Sequence, residues 1–164
     1  MNTTQKESSR DQKWLENRFL ILWKDYFSDI PMASIKIRFG RNAYTRLGSI
    51  GYEKKTFGKS TMITMTGYFK RSEIPDYVID ATIAHEICHY AHGYFSPLPK
   101  LHRYPHQGSK VDDEMKKRGL VQILEKQKIW LKTNWKEYVK NDIRKRRPRR
   151  RRRGLSLIEL LLGR

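Results

Sequence analysis

Cysteine is almost missing from this chain. Of 164 residues only Cys88 is one, so no internal disulfide framework and no Cys-rich zinc ribbon can be built. A lone thiol inside an apolar helical run reads as packing and suits a reducing compartment. Long apolar runs are missing too. No stretch reaches the roughly 18 residues that a membrane-spanning helix requires, and the polar lead Met1 to Arg10 lacks the apolar core of a signal peptide. A cytoplasmic protein with no membrane span is expected. Acidic residues are scarce: 17 Asp and Glu stand against 35 Lys and Arg, a formal net charge of +18. A polyanionic partner, DNA or RNA first, is the expectation from that imbalance.

What is present fits one modest globular domain, with 38% hydrophobic and 12% aromatic residues. Residues 1–10 read as a disordered lead, 11–143 as the domain, and 144–164 as a basic tail with a short apolar end. Leu15, Phe19, Leu22, Trp23, Tyr26 and Phe27 recur at helical spacing, which predicts an amphipathic helix from Asp11 to near Asp29, before Pro31. The period then changes. Ile35, Ile37 and Phe39 alternate with polar residues as a half-buried strand, and Leu47 to Tyr52 and Thr61 to Phe69 read as two more. The fold class expected is α+β: a small antiparallel sheet packed with the N-terminal helix, a motif-bearing helix and a long C-terminal helix over 120–147. Thr61 to Thr66, nearest the motif in sequence, is the strand that would align an extended peptide if any strand does so, with an ordinary structural strand the preferred reading.

The motif itself is His85-Glu86-Ile87-Cys88-His89. Val78, Ile79, Thr82, Ile83 and Ile87 surround it with a helix-periodic, largely apolar run. Pro75 suits a first helical turn and Gly93 a C-terminal cap, which brackets a helix of 75–92. Residues four apart on a helix project from one face, so His85 and His89 can both reach one Zn²⁺ ion. Glu86 then points beside the ion, where its carboxylate can take a proton from water as a general base. That is the zinc-peptidase arrangement.

A catalytic zinc needs a third protein ligand. His92 lies two turns from His85, a rise of about 10.5 Å, too far for one tetrahedral centre to collect easily. His102, His106 and an acid among Asp112, Asp113 and Glu114 stay open, with His106 favoured because the break at Gly93 and the Pro-punctuated loop let the chain double back. From about Trp14 to Leu120 the chain resembles the SprT-like zinc peptidase family, through its first helix, the Arg46-Leu-Gly-Ser strand, the His85-Glu-Ile-Cys-His89 helix, Pro-His106 and Arg118-Gly119-Leu120. The resemblance implies a zincin-like fold and a polypeptide substrate. It also implies zinc on His85, His89 and His106, with Glu86 as the catalytic base. Tyr104 and His102 are the loop groups available as oxyanion donors.

Lys128, Lys132, Lys136, Lys140 and Arg144 fall four apart and predict a basic ridge. It continues into Arg146, Arg147, Arg149, Arg150 and Arg151 of the tail. With Trp130 and Trp135 nearby, these residues are candidates for nucleic-acid binding. Two rival functions remain: a nucleic-acid-binding protein whose metal site is structural, and a zinc hydrolase of a non-peptide substrate.

Overall fold

The computed structural model describes residues 9–54, 58–105 and 108–146. It is an α+β fold. The order is α1 (Gln12–Tyr26), β1 (Ile35–Phe39), β2 (Gly48–Lys54), β3 (Lys59–Met65), a 3₁₀ turn (Gly67–Lys70), α2 (Asp76–Ala91), α3 (Lys110–Lys117), α4 (Val121–Trp130), a π-helical turn (Leu131–Trp135) and α5 (Lys136–Arg146). No described helix is long and apolar enough to cross a membrane.

Helix α1 starts where Asp11 accepts a hydrogen bond from the Trp14 amide at 2.7 Å, a side-chain N-cap. It ends at Tyr26, short of Asp29, because Pro31 disfavours helix before it and a turn closed by Ile30 N–H on Phe27 O takes over. Leu15, Phe19, Leu22 and Trp23 form its buried stripe. Of the expected lead, residues 1–8 lie outside the described residues. Arg10 is already part of the domain, its guanidinium donating to the carbonyls of Phe69 and Ile74 and pairing with Asp76.

The sheet is mixed, not antiparallel. Its order is β1-β3-β2, with β1 parallel to β3 and β2 antiparallel to it. A simple meander is prevented by the loop after β1, which wraps the end of β3. Gly40 N–H reaches Met65 O at 2.7 Å, Gly67 N–H reaches Arg41 O at 3.0 Å, and the Thr66 hydroxyl bonds both the amide and the carbonyl of Ala43. The chain therefore re-enters the sheet on the far side of β3. Strand β3 also stops at Met65, since Gly67, Tyr68 and Phe69 lie in the 3₁₀ turn. As the central strand it has no free edge, so the Thr61–Thr66 stretch is an ordinary structural strand, the preferred reading, and β2 is the edge on that side.

Helix α1 packs on β1, while α2 packs on α1, β2, α3 and α4. Helix α2 is enclosed: of its sixteen residues thirteen are buried, the pattern of a core helix rather than a surface one. Its one acid facing α1, Asp80, is held by the Arg18 guanidinium through Nε at 2.9 Å and a second, closer contact. Burial pushes the Asp80 carboxyl up even with Arg18 beside it, so the core resists that charge and Arg18 is what keeps it there. The long C-terminal helix is a rod interrupted by the π turn. It is anchored by Arg71, which bonds Asp142 at 2.6 Å and Tyr138 at 3.2 Å.

Breaking the Arg18–Asp80 pair leaves an unpaired buried carboxylate. Arg18→Met is expected to cost about 2 kcal/mol, below the figure for a fully buried pair because the Arg18 side chain keeps some contact with water. Adding Asp80→Asn should restore most of the loss. Urea unfolding midpoints of the two variants check this, and equal midpoints for Arg18→Met and the parent would contradict it.

Candidate metal centre

Helix α2 runs from Asp76 to Ala91, between caps at Pro75 and His92, within a residue of the expected bounds. Its register places His85 and His89 on one face. Their Nε2 atoms stand 3.2 Å apart and their rings meet edge to face at 4.8 Å. Two bonds of about 2.0–2.1 Å meeting at a tetrahedral angle hold their nitrogens roughly 3.3 Å apart. The pair therefore fits two ligands of one zinc ion. His89 is 3% exposed, while His85 is half-buried at the edge of a cleft.

The cleft has a volume of about 510 Å³ and is lined by His85, Glu86, His89, Thr82, Gln127, Tyr94 and Pro105, with Arg46 to Ile50 along one side. That side is the start of β2, whose outer backbone edge is not paired within the sheet. Glu86 is 6% exposed. Burial pushes its carboxyl up to about 7, opposed by the nearby Arg46 charge. A carboxylate in that range exchanges protons near neutral pH, as a general base requires.

Gly48 makes this placement fit. A Cβ there would lie 2.7 Å from Glu86 Oε1 and 2.9 Å from Thr82 Cγ2, so only glycine lets β2 approach the carboxylate this closely. Thr82 is fixed in turn, donating to Val78 O and accepting from Gln127 Nε2 at 2.7 Å. Gly48 and Gln127 escaped the sequence reading. For Gly48 the only signal available was a glycine inside a strand, which often marks close backbone approach. Gln127 had none.

The break after α2 behaves as expected. Gly93 has φ +83, and a Cβ there would strike Pro99 O at 2.3 Å. Tyr94 N–H closes on His89 O at 3.0 Å, and Leu101 N–H comes back to His92 O at 3.0 Å. The loop thus returns across the helix end, and Pro105 arrives beside His85 in the cleft.

The candidates for the third ligand separate. His106 lies outside the described residues, one position beyond Pro105. His102 packs edge-on against His92, ring centroids 4.9 Å apart. His92 itself is buried, with Glu114 at 3.9 Å. The acids are engaged elsewhere: Asp112 with Lys128, Asp113 with Lys116 and Ser109, Glu114 with Arg118. Among the described residues no group of three or more His, Cys, Asp or Glu is gathered as a metal site. Neither Tyr104 nor His102 is among the cleft-lining residues described.

The basic ridge changes character. Lys128 is bound to Asp112, and the π turn interrupts the row between Lys128 and Lys136. Lys136, Lys140 and Arg144 flank a second groove together, while Lys132 is exposed. Arg146 ends α5, and Arg147, Arg149, Arg150 and Arg151 lie outside the described residues. So does the apolar end, Leu155 to Leu162.

Compared with models of protein families, with curated proteins and with solved structures, the chain finds no match.

With two imidazoles on one helix face, loss of either should abolish tight metal binding. His85→Ala and His89→Ala are expected to purify with far less than one zinc per chain and with a lowered melting temperature, because the ion binds the folded state. His106→Ala should do the same and His102→Ala should not. Full zinc occupancy in both helix variants contradicts the site, and zinc lost with His102 but kept without His106 reassigns the third ligand.

Proposed function

We propose that the chain is a zinc-dependent metallopeptidase of the SprT-like kind, zincin-like in its core, which hydrolyses peptide bonds of polypeptide substrates. The observation that carries this reading is the pair of imidazole nitrogens 3.2 Å apart, both lining one cleft, next to a buried carboxylate on the same helix. His85 and His89 are the helix ligands, and the return of the loop to Pro105 supports His106 as the third. When bound, zinc supplies a Lewis acid that acidifies water and polarises a carbonyl.

The other work falls to the chain's own residues. The β2 edge offers free backbone groups to an extended substrate, so a peptide adds as a further strand beside Gly48, Ser49 and Ile50. Glu86, held against Gly48 and Thr82, takes the proton from the attacking water and returns it to the leaving amine. Arg46 at the mouth of the cleft supplies the positive charge that favours the ionised carboxylate. Lys132, Lys136, Lys140 and Arg144, with the tail arginines, tether the enzyme to DNA or RNA, which supports substrates that are themselves nucleic-acid-associated proteins.

The peptidase half is tested with an unfolded polypeptide as substrate. Glu86→Gln should keep its zinc and lose activity by about 10²–10⁴-fold, the usual contribution of a general base. Gly48→Ala should also keep zinc and turn over more slowly, because its methyl group displaces the carboxylate. A purified, zinc-loaded parent that cleaves no polypeptide contradicts the reading, as does full activity in Glu86→Gln.

The tethering half predicts salt-sensitive nucleic-acid binding. Removing residues 144–164 should weaken it strongly and leave zinc content unchanged. Binding that ignores both salt and the truncation shows that the tail is not the tether.

A further inference from the structure

A second groove, about 480 Å³ in volume, runs between the loop after β1 and helix α5. Its lining is Tyr44, Trp135, Val139 and Ile143, bordered by Lys136, Lys140 and Arg144. Val139 is 6% exposed, so the floor is apolar, whereas Tyr44 is 55% exposed. The groove is built rather than accidental. The Trp135 indole N–H donates to Tyr44 O at 2.9 Å and stitches the loop to the helix, and its ring stacks on Tyr138 at 5.8 Å and 14°. The π turn ending at Trp135 shifts the helical phase, letting that indole face the loop and meet Tyr68 and Phe69 as well.

The three cations differ from their neighbours. Lys128 is neutralised by Asp112 and Arg71 by Asp142, but Lys136, Lys140 and Arg144 pair with no described acid. Four residues apart on α5, they rise about 6 Å per step. That spacing presents positive charge along a line, as the phosphates of an extended strand require. A flat aromatic face beside such a line accepts any base, since every base has a π-face. A lipid surface needs no groove, and an acidic peptide gains little from an open tyrosine ring.

We propose that this groove is a base-stacking site for single-stranded nucleic acid, with Tyr44 as the platform and Lys136, Lys140 and Arg144 on the phosphates. It deepens the tethering half of the function proposed above and is independent of the peptidase half. It also links the two sites physically. Tyr44 belongs to the same loop as Arg46 and Leu47, which line the cleft beside His85, so a strand seated in the groove lies against the segment that leads into the β2 edge.

The test uses the full chain and three labelled probes of about 12 nucleotides, a length within one binding module's usual reach: oligothymidylate, an abasic strand of equal charge, and a duplex. Fluorescence anisotropy should show thymidylate binding at least about fivefold tighter than the abasic strand. Tyr44→Ala should bring thymidylate down to the abasic level and leave abasic binding unchanged, while Lys140→Glu weakens both. The exposed Tyr44 ring makes that variant safe for the fold, and a melting curve equal to the parent's confirms it. Photocrosslinking of an iodouracil-substituted strand, mapped by mass spectrometry, should land on Tyr44 or Trp135. Equal binding of abasic and thymidylate strands overturns the groove and leaves the electrostatic tether standing. Absence of any nucleic-acid binding overturns both. Tyr44-dependent binding of anionic vesicles or polyglutamate in place of thymidylate assigns the groove to another partner and overturns the proposal.

Discussion

The rest of this fold is arranged around a helix that buries thirteen of its sixteen residues. Helix α2 is covered by α1, β2, α3 and α4, yet it carries Asp80, Glu86 and His89 among its apolar residues and His92 as its C-cap, each under a tenth exposed. A buried polar group is tolerated only with a partner. For Asp80 that partner is Arg18, and for His92 the nearest acid is Glu114. Glu86 is different: it faces a cleft, its carboxyl is pushed up by burial, and the nearest opposing charge is that of Arg46. A group kept in that state next to two imidazoles is poised for proton exchange, which structural carboxylates avoid.

Two backbone features shape this environment. Gly48 allows β2 to close over Glu86 without a Cβ between them, and Gly93 allows the chain to reverse immediately after the helix. The first brings a sheet edge to the cleft and the second brings the loop ending at Pro105. Arg118 ties the end of α3 to the segment after α1 through Asp29 at 2.6 Å and Tyr26 O at 2.6 Å, with Phe27 under its guanidinium. That clamp fixes the frame on which the loop closes.

The legible parts of the fold were those decided locally. Pro75, Gly93 and the period of Val78 to Ile87 mark α2 almost to the residue, and the four-residue spacing of His85 and His89 carries their geometry directly. The strand order was not legible, because it depends on the loop after β1 being stapled across β3 by Gly40, Ala43 and Thr66, contacts between residues more than twenty apart. Gly48 escaped for the same reason: its meaning comes from Glu86, far along the chain. The lysine row was read as one continuous ridge, since neither the ion pair of Lys128 with Asp112 nor the π turn leaves a trace in spacing alone.

Whether this face holds a nitrogen-ligated zinc ion is decided by X-ray absorption at the zinc edge of the purified chain. One zinc per chain is expected, with imidazole nitrogen scatterers at about 2.0–2.1 Å and an open, water-type position. A chain that takes up no zinc contradicts the account, as does a sulfur scatterer at about 2.3 Å that places the metal on Cys88.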